Sequence, residues 1–155
     1  MRFVFAHPAH AIAFTFGAGL APQAPGSFGT LAALPIFYFL QPRLDESLFF
    51  LALLAAWLTG VWACHRTGQD LGVADHGGMV WDETVAFLLV LALIPRSLPW
   101  QALAFLLFRI FDIAKPPPIS YFDRSMKNGF GVMFDDLLAA GYTLLVLSIW
   151  KAIGA

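Results

Sequence analysis

The chain has 155 residues, 59% of them hydrophobic and only 12% charged, with a formal net charge of -1. A soluble domain carries about a quarter charged residues, so this composition calls for an apolar solvent, and a lipid bilayer is the simplest one. The missing basic excess excludes nucleic acid as a partner, and the lone Cys64 excludes an intrachain disulfide and a cysteine-based metal cluster.

The first twenty residues hold one arginine and two histidines around a mildly apolar stretch, without the clean core and small-residue cleavage site of a removable leader. Five apolar stretches follow, at 28–40, 47–64, 84–94, 98–111 and 137–150. They are rich in Leu, Ala and Phe and show no period-two alternation, which predicts helices. At about 1.5 Å per residue, 47–64 reaches about 27 Å, close to a hydrocarbon thickness of about 30 Å. The stretches 84–94 and 98–111 reach only about 16 and 21 Å. Between them stand Pro95, Arg96 and Pro99. Two prolines break helical hydrogen bonds and an arginine is costly in lipid, so a shallow hairpin is expected here rather than one kinked span. With that hairpin the polar loops 17–29, 65–83 and 112–136 all emerge on one face. The fold expected is all-α: a single domain, 1–155, forming a compact polytopic helical membrane bundle with its polar loops gathered on one face.

Charge placement gives that face a side. Eight of the ten acids lie in or beside the second and third loops. Of the nine bases, Arg2, Arg66, Arg109, Lys115, Arg124 and Lys127 fall on the loop face, which makes it cytoplasmic by the positive-inside rule.

Four motifs carry the chemistry. The run from Gly17 to Thr30 holds four glycines, two prolines and two hydroxyls ahead of a helix. Its backbone N–H groups, with Gly26, Ser27 and Thr30, suit an anion at a helix N-terminus; a plain N-cap by Ser27 or Thr30 is the bland alternative. No Lys follows in the position a Walker loop needs. The second motif, Asp75 through Asp82-Glu83-Thr84, sets adjacent acids before an apolar helix. The macrodipole alone favours acids there, and so does a hard divalent cation seeking oxygen ligands. In the third, Arg109, Asp112 and Lys115 recur every third residue and share one helix face before Pro116 stops the helix. The fourth places Asp135-Asp136 ahead of the last apolar stretch, and adjacent carboxylates repel unless a cation or proton intervenes.

Asp82, Glu83, Asp135 and Asp136, with Asp75 in support, can together supply the oxygens of a magnesium site. Asp112 joins them as a catalytic candidate. Carboxylates alone would repel an anion, whereas metal with Arg109 and Lys115 attracts a phosphate and stabilises the charge of phosphoryl transfer. His76 and the other histidines are expected to be loop or interface residues. A cysteine-phosphate loop fails because Asp70 stands where Arg is required after Cys64. A cation-binding or transport protein is the rival reading, and it would place its acids in mid-helix facing a pore.

Four blocks in this order, Ala24-Pro25-Gly26-Ser27-Phe28-Gly29, Val80-Trp81-Asp82-Glu83, Phe108-Arg109-Ile110-Phe111-Asp112-Ile113-Ala114-Lys115-Pro116 and Gly129-Phe130-Gly131-Val132-Met133-Phe134-Asp135-Asp136, resemble the phosphatidylglycerophosphatase A family. The resemblance implies a helical enzyme of the bacterial inner membrane. Such an enzyme hydrolyses the terminal phosphomonoester of phosphatidylglycerophosphate with magnesium, giving phosphatidylglycerol. Ser27 and Thr30 exchange the hydroxyls usual in the glycine loop, Asn128 stands where glycine is common, and no proposed ligand is lost. Another lipid phosphomonoester, such as phosphatidic acid, stays open as substrate, as does the oligomeric state.

Overall fold

A computed structural model describes residues 1–154, and among them there is no strand. Seven α-helices occur: α1 (Pro8–Ala13), α2 (Pro25–Leu40), α3 (Glu46–Leu71), α4 (Trp81–Leu93), α5 (Leu98–Ala114), α6 (Ile119–Ser125) and α7 (Gly129–Ala152). A 3-10 segment, Thr15–Leu20, links α1 to α2.

Two helices run two turns or more beyond the apolar stretches that announced them. α3 starts where Asp45 accepts a hydrogen bond from the Leu48 amide, and continues through His65–Arg66 to Gly72, whose φ of 76° ends it in the left-handed region. α7 starts at Asn128, whose side chain accepts from the Gly131 amide at 2.9 Å. The pair Asp135-Asp136 therefore lies two turns inside α7 rather than at its start. Gly129 and Gly131 read as loop residues in the sequence but serve packing: a Cβ on Gly129 would overlap α3 backbone at Val61, and one on Gly131 would overlap Met126.

α4 and α5 are separate helices broken at Ile94 through Ser97. Arg109, near the end of α5, stands 3.5 Å from Glu83 in the first turn of α4. The two helices must therefore run back along one another, as the prolines predict. α4 is the central element, with Val85, Ala86, Phe87, Leu88, Val90 and Leu91 all buried. A helix apolar on every side belongs inside a bundle, and α4 packs against α2, α3 and α7.

The outer helices face the other way. Leu51, Leu54 and Leu58 of α3 and Leu145 and Ile149 of α7 are each more than half exposed. In water such stripes would form an aggregation-prone patch; in lipid they are solvated. Among the described residues, α3 and α7 are also the two helices long and apolar enough to cross a membrane. At 26 and 24 residues they span about 39 and 36 Å, more than a hydrocarbon core of about 30 Å. This is the fold of a helical membrane protein.

Candidate active site

The first turn of α4 is pinned from three sides. The Val80 amide donates to the Ala13 carbonyl at 2.8 Å, the Trp81 indole N–H donates to the Ala56 carbonyl at 3.0 Å, and the Thr84 hydroxyl donates to the Gly29 carbonyl at 2.8 Å. Asp82 and Glu83 are thereby fixed between α1, α2 and α3, with the positive end of the α4 macrodipole beside them.

The Asp136 carboxylate reaches the same point from α7, so that one oxygen each of Asp82, Glu83 and Asp136 lies within 4.8 Å of the others. Asp82 and Asp136 are buried, at 6% and 3% exposure. Asp82 Oδ1, Glu83 Oε2, Asp135 Oδ1 and Asp136 Oδ2 are all buried without a hydrogen-bond partner. Buried polar atoms are nearly always satisfied, so four orphaned carboxylate oxygens around one cleft suit a positive partner. The donor set is all hard oxygen, which suits magnesium rather than a softer metal.

The cations come from α5. Arg109 Nη1 pairs with Asp112 and lies 3.5 Å from Glu83, while its Nε is buried and unpartnered. Lys115 ends the helix at φ 47°, in the left-handed region where a non-glycine residue is strained. Its Nζ donates to Asp123 of α6 at 2.8 Å. Partial burial works against the Lys115 ammonium, but the Asp123 carboxylate outweighs it and holds the lysine pKa above its ordinary value. Burial likewise disfavours ionised Asp123, and Lys115 again prevails, keeping that carboxyl below the usual range. Arg109, Asp112 and Lys115 open with the carboxylates on a cleft of about 260 Å³.

The sequence matches the phosphatidylglycerophosphatase A family model over residues 11–151. The chain belongs to the phosphatidylglycerophosphatase A family. A protein named phosphatidylglycerophosphatase A from Haemophilus influenzae is 47% identical over 143 residues, covering 91% of this chain and 87% of the relative. Its namesake from Escherichia coli is 42% identical over 139 residues, covering 89% and 80%. A Bacteroides thetaiotaomicron protein, provisionally named a phosphatidylinositol-3-phosphatase, is 37% identical over 142 residues, covering 86% and 87%. No solved structure matches. Phosphatidylglycerophosphatase A is a phosphoric monoester hydrolase, an enzyme class that suits carboxylates and cations facing one another across a cleft.

Within this family member, Asp75, Asp82, Glu83, Arg109, Asp112, Lys115, Asp135 and Asp136 all line the cleft. Their grouping differs from the expected ligand set of five. Asp135 is turned about 100° around α7 from Asp136 and faces Asp123 and Lys115 instead of the carboxylate trio. Asp75 sits on the loop before α4, outside the trio. Thr30 is not turned to the cleft: it is fully buried and its hydroxyl donates to the Gly26 carbonyl at 2.8 Å, an intrahelical bond. Ser27 is half-buried and does not line the cleft. Neither residue caps α2, which begins after Ala24 at φ 48° with Pro25 in its first turn.

Gly26 does meet the site. A Cβ there would stand 2.6 Å from a Glu83 carboxylate oxygen and 2.8 Å from Arg109 Nη1. Gly26→Ala is expected to cost about 1–3 kcal/mol by overpacking and to lower turnover by displacing Glu83 and Arg109, checked by thermal melting together with steady-state rates.

One residue that supports the cleft escaped the sequence motifs. Asp123 lies eight positions beyond Lys115 across three prolines, where no helical period links them. His76 lines the cleft while its Nδ1 accepts from the Gly78 amide at 2.9 Å. The acids do not open into a pore. Beneath them Phe87, Leu91, Phe108, Ala139 and Ala140 fill the bundle interior.

Proposed function

We propose that this chain hydrolyses the terminal phosphomonoester of phosphatidylglycerophosphate, with magnesium, at the cytoplasmic face of a bacterial inner membrane that it crosses more than once. One observation carries the reading: unsatisfied carboxylate oxygens and an unsatisfied guanidinium N–H share a single cleft. Unpartnered acceptors and an unpartnered donor side by side fit a metal-bound phosphate. The relatives' names support the choice of lipid, and the bias of six bases in nine toward the loop face supports the cytoplasmic side.

Asp82, Glu83 and Asp136 would hold the magnesium, which supplies Lewis-acid polarisation of phosphoryl oxygen and a more acidic bound water. Arg109 presents its free Nε edge to the phosphate while Asp112 and Glu83 fix the guanidinium plane. Lys115, held by Asp123, adds a second positive charge at the mouth. Met79, Ile113 and Val132 wall the cleft with apolar surface, which strengthens every charge interaction inside it. The nucleophile is either water, giving its proton to a carboxylate of the site, or an aspartate carboxylate itself. Trapping a phosphorylated aspartate separates the two.

The test is phosphate release from phosphatidylglycerophosphate in detergent. Release with magnesium and none in chelator is expected; no release with magnesium present would sink the proposal. The Bacteroides relative makes hydrolysis of another lipid phosphomonoester the second reading. Faster release from phosphatidic acid or phosphatidylinositol 3-phosphate would favour it.

A further inference from the structure

Two apolar grooves run down the lipid-facing side of the bundle, one on each flank of α7. The first, about 320 Å³, lies between α3, α4 and α7 and is lined by Phe50, Leu54, Trp57, Leu89 and Leu137 among others. The second, about 250 Å³, is formed by Pro118 with Leu137, Gly141, Tyr142 and Leu145 of α7. Leu137 belongs to both, and it is the residue directly after Asp136.

We infer that these grooves seat the two acyl chains of a diacyl phospholipid whose terminal phosphate occupies the cleft, with the rest of the headgroup passing over Leu137. The inference rests on the lipid-phosphatase reading above and adds how the substrate's tails are held.

Depth supports this occupant. The Trp81 indole bonds the Ala56 carbonyl, which sets Trp57 level with the first turn of α4, where Asp82 and Glu83 sit. Phe50 on α3 and Leu89 on α4 are each seven residues deeper, about 10 Å along the helix axes. The first groove thus descends from the level of the carboxylates toward the bilayer centre. The second begins at Pro118, three residues beyond Lys115, where Tyr142 donates to the Pro117 carbonyl at 2.5 Å. Gly141 leaves its floor open, since a Cβ there would meet nothing within 4 Å.

Chemistry supports it too. Trp57 Nε1 is buried with no hydrogen-bond partner in the wall of an otherwise apolar groove. A hydrocarbon tail alone would leave that donor unmet, whereas the ester carbonyl at the head of an acyl chain would accept from it. Two grooves meeting beside one headgroup cleft correspond to a ligand with two tails and one phosphorylated headgroup.

Gly141→Leu fills the second groove from an open helical position and removes a poor helix former. Leu54→Trp fills the first from a side chain that is 54% exposed. Each variant is compared with wild type on dioleoyl and dihexanoyl phosphatidylglycerophosphate. The ratio of kcat/KM for the long over the short lipid is expected to fall about tenfold, equivalent to losing contact with about two buried methylenes. Native mass spectrometry of the detergent-solubilised proteins supplies a readout free of turnover: wild type retains dioleoyl phosphatidylglycerol and both variants lose it. An unchanged ratio with unchanged retention, or parallel loss on both lipids, overturns the inference. If wild type hydrolyses neither lipid yet retention falls in the variants, the grooves stand and the assigned reaction falls.

Discussion

Asp82→Asn is expected to slow phosphate release by at least about a hundredfold, the order set by losing one preorganised charge in a polar active site, while the metal-free protein melts no lower than wild type. A structural carboxylate behaves otherwise. Removing one member of a satisfied buried ion pair costs about 3–5 kcal/mol. Asp82 has no cation partner: its Oδ1 is orphaned and its nearest charged neighbours are Glu83 and Asp136. Neutralising it relieves repulsion and desolvation together, so the metal-free fold gains about 0.5–2 kcal/mol, the size of a typical single stabilising substitution. Added magnesium then raises the melting temperature of wild type but not of the variant. Retention of near-normal turnover by Asp82→Asn would remove this residue from the site.

Arg109→Met should have the largest effect on stability. The guanidinium lies between Asp112 and Glu83, with side chains only 14%, 10% and 13% exposed. Replacing it with an apolar chain of similar length leaves two buried carboxylates beside an already negative cluster. The expected loss is about 3–5 kcal/mol, measured by denaturant or thermal unfolding in detergent, together with loss of turnover. Arg109→Lys separates the two roles. It keeps the positive charge and much of the stability but loses the planar fork that grips a phosphate, so KM rises more than the melting temperature falls. Arg109→Met with unchanged stability would mean that the arginine is solvated and the ion-pair geometry wrong.

How much of this was legible depends on the physics of each segment. The α4–α5 hairpin follows from Pro95, Arg96 and Pro99, because proline and charge act locally and leave few alternatives. The residues lining the cleft are largely those that the acidic and basic motifs single out, since charge in so apolar a chain needs a reason. The limits of α7 were hidden because Gly129 and Gly131 usually signal a turn; their packing against Val61 and Met126 is a tertiary fact. The extension of α3 through His65 to Leu71 was hidden because two turns of polar residues break the apolar pattern without breaking the helix. α6 follows three prolines and is only seven residues long, too short for any period to show. The division of the paired aspartates, Asp136 toward Asp82 and Asp135 toward Lys115 and Asp123, depends on a helix phase that required knowing where α7 begins. Thr30 illustrates the opposite error: a hydroxyl in a glycine-rich motif suggested an anion, and one intrahelical bond to Gly26 accounts for it.

The most direct measurement is the position of a divalent ion in the folded protein. Crystals soaked in manganese, a hard oxygen-seeking stand-in for magnesium, should show an anomalous peak touching carboxylate oxygens of Asp82, Glu83 and Asp136. Absence of the peak at saturating manganese, or a peak elsewhere with that trio still empty, would contradict the account.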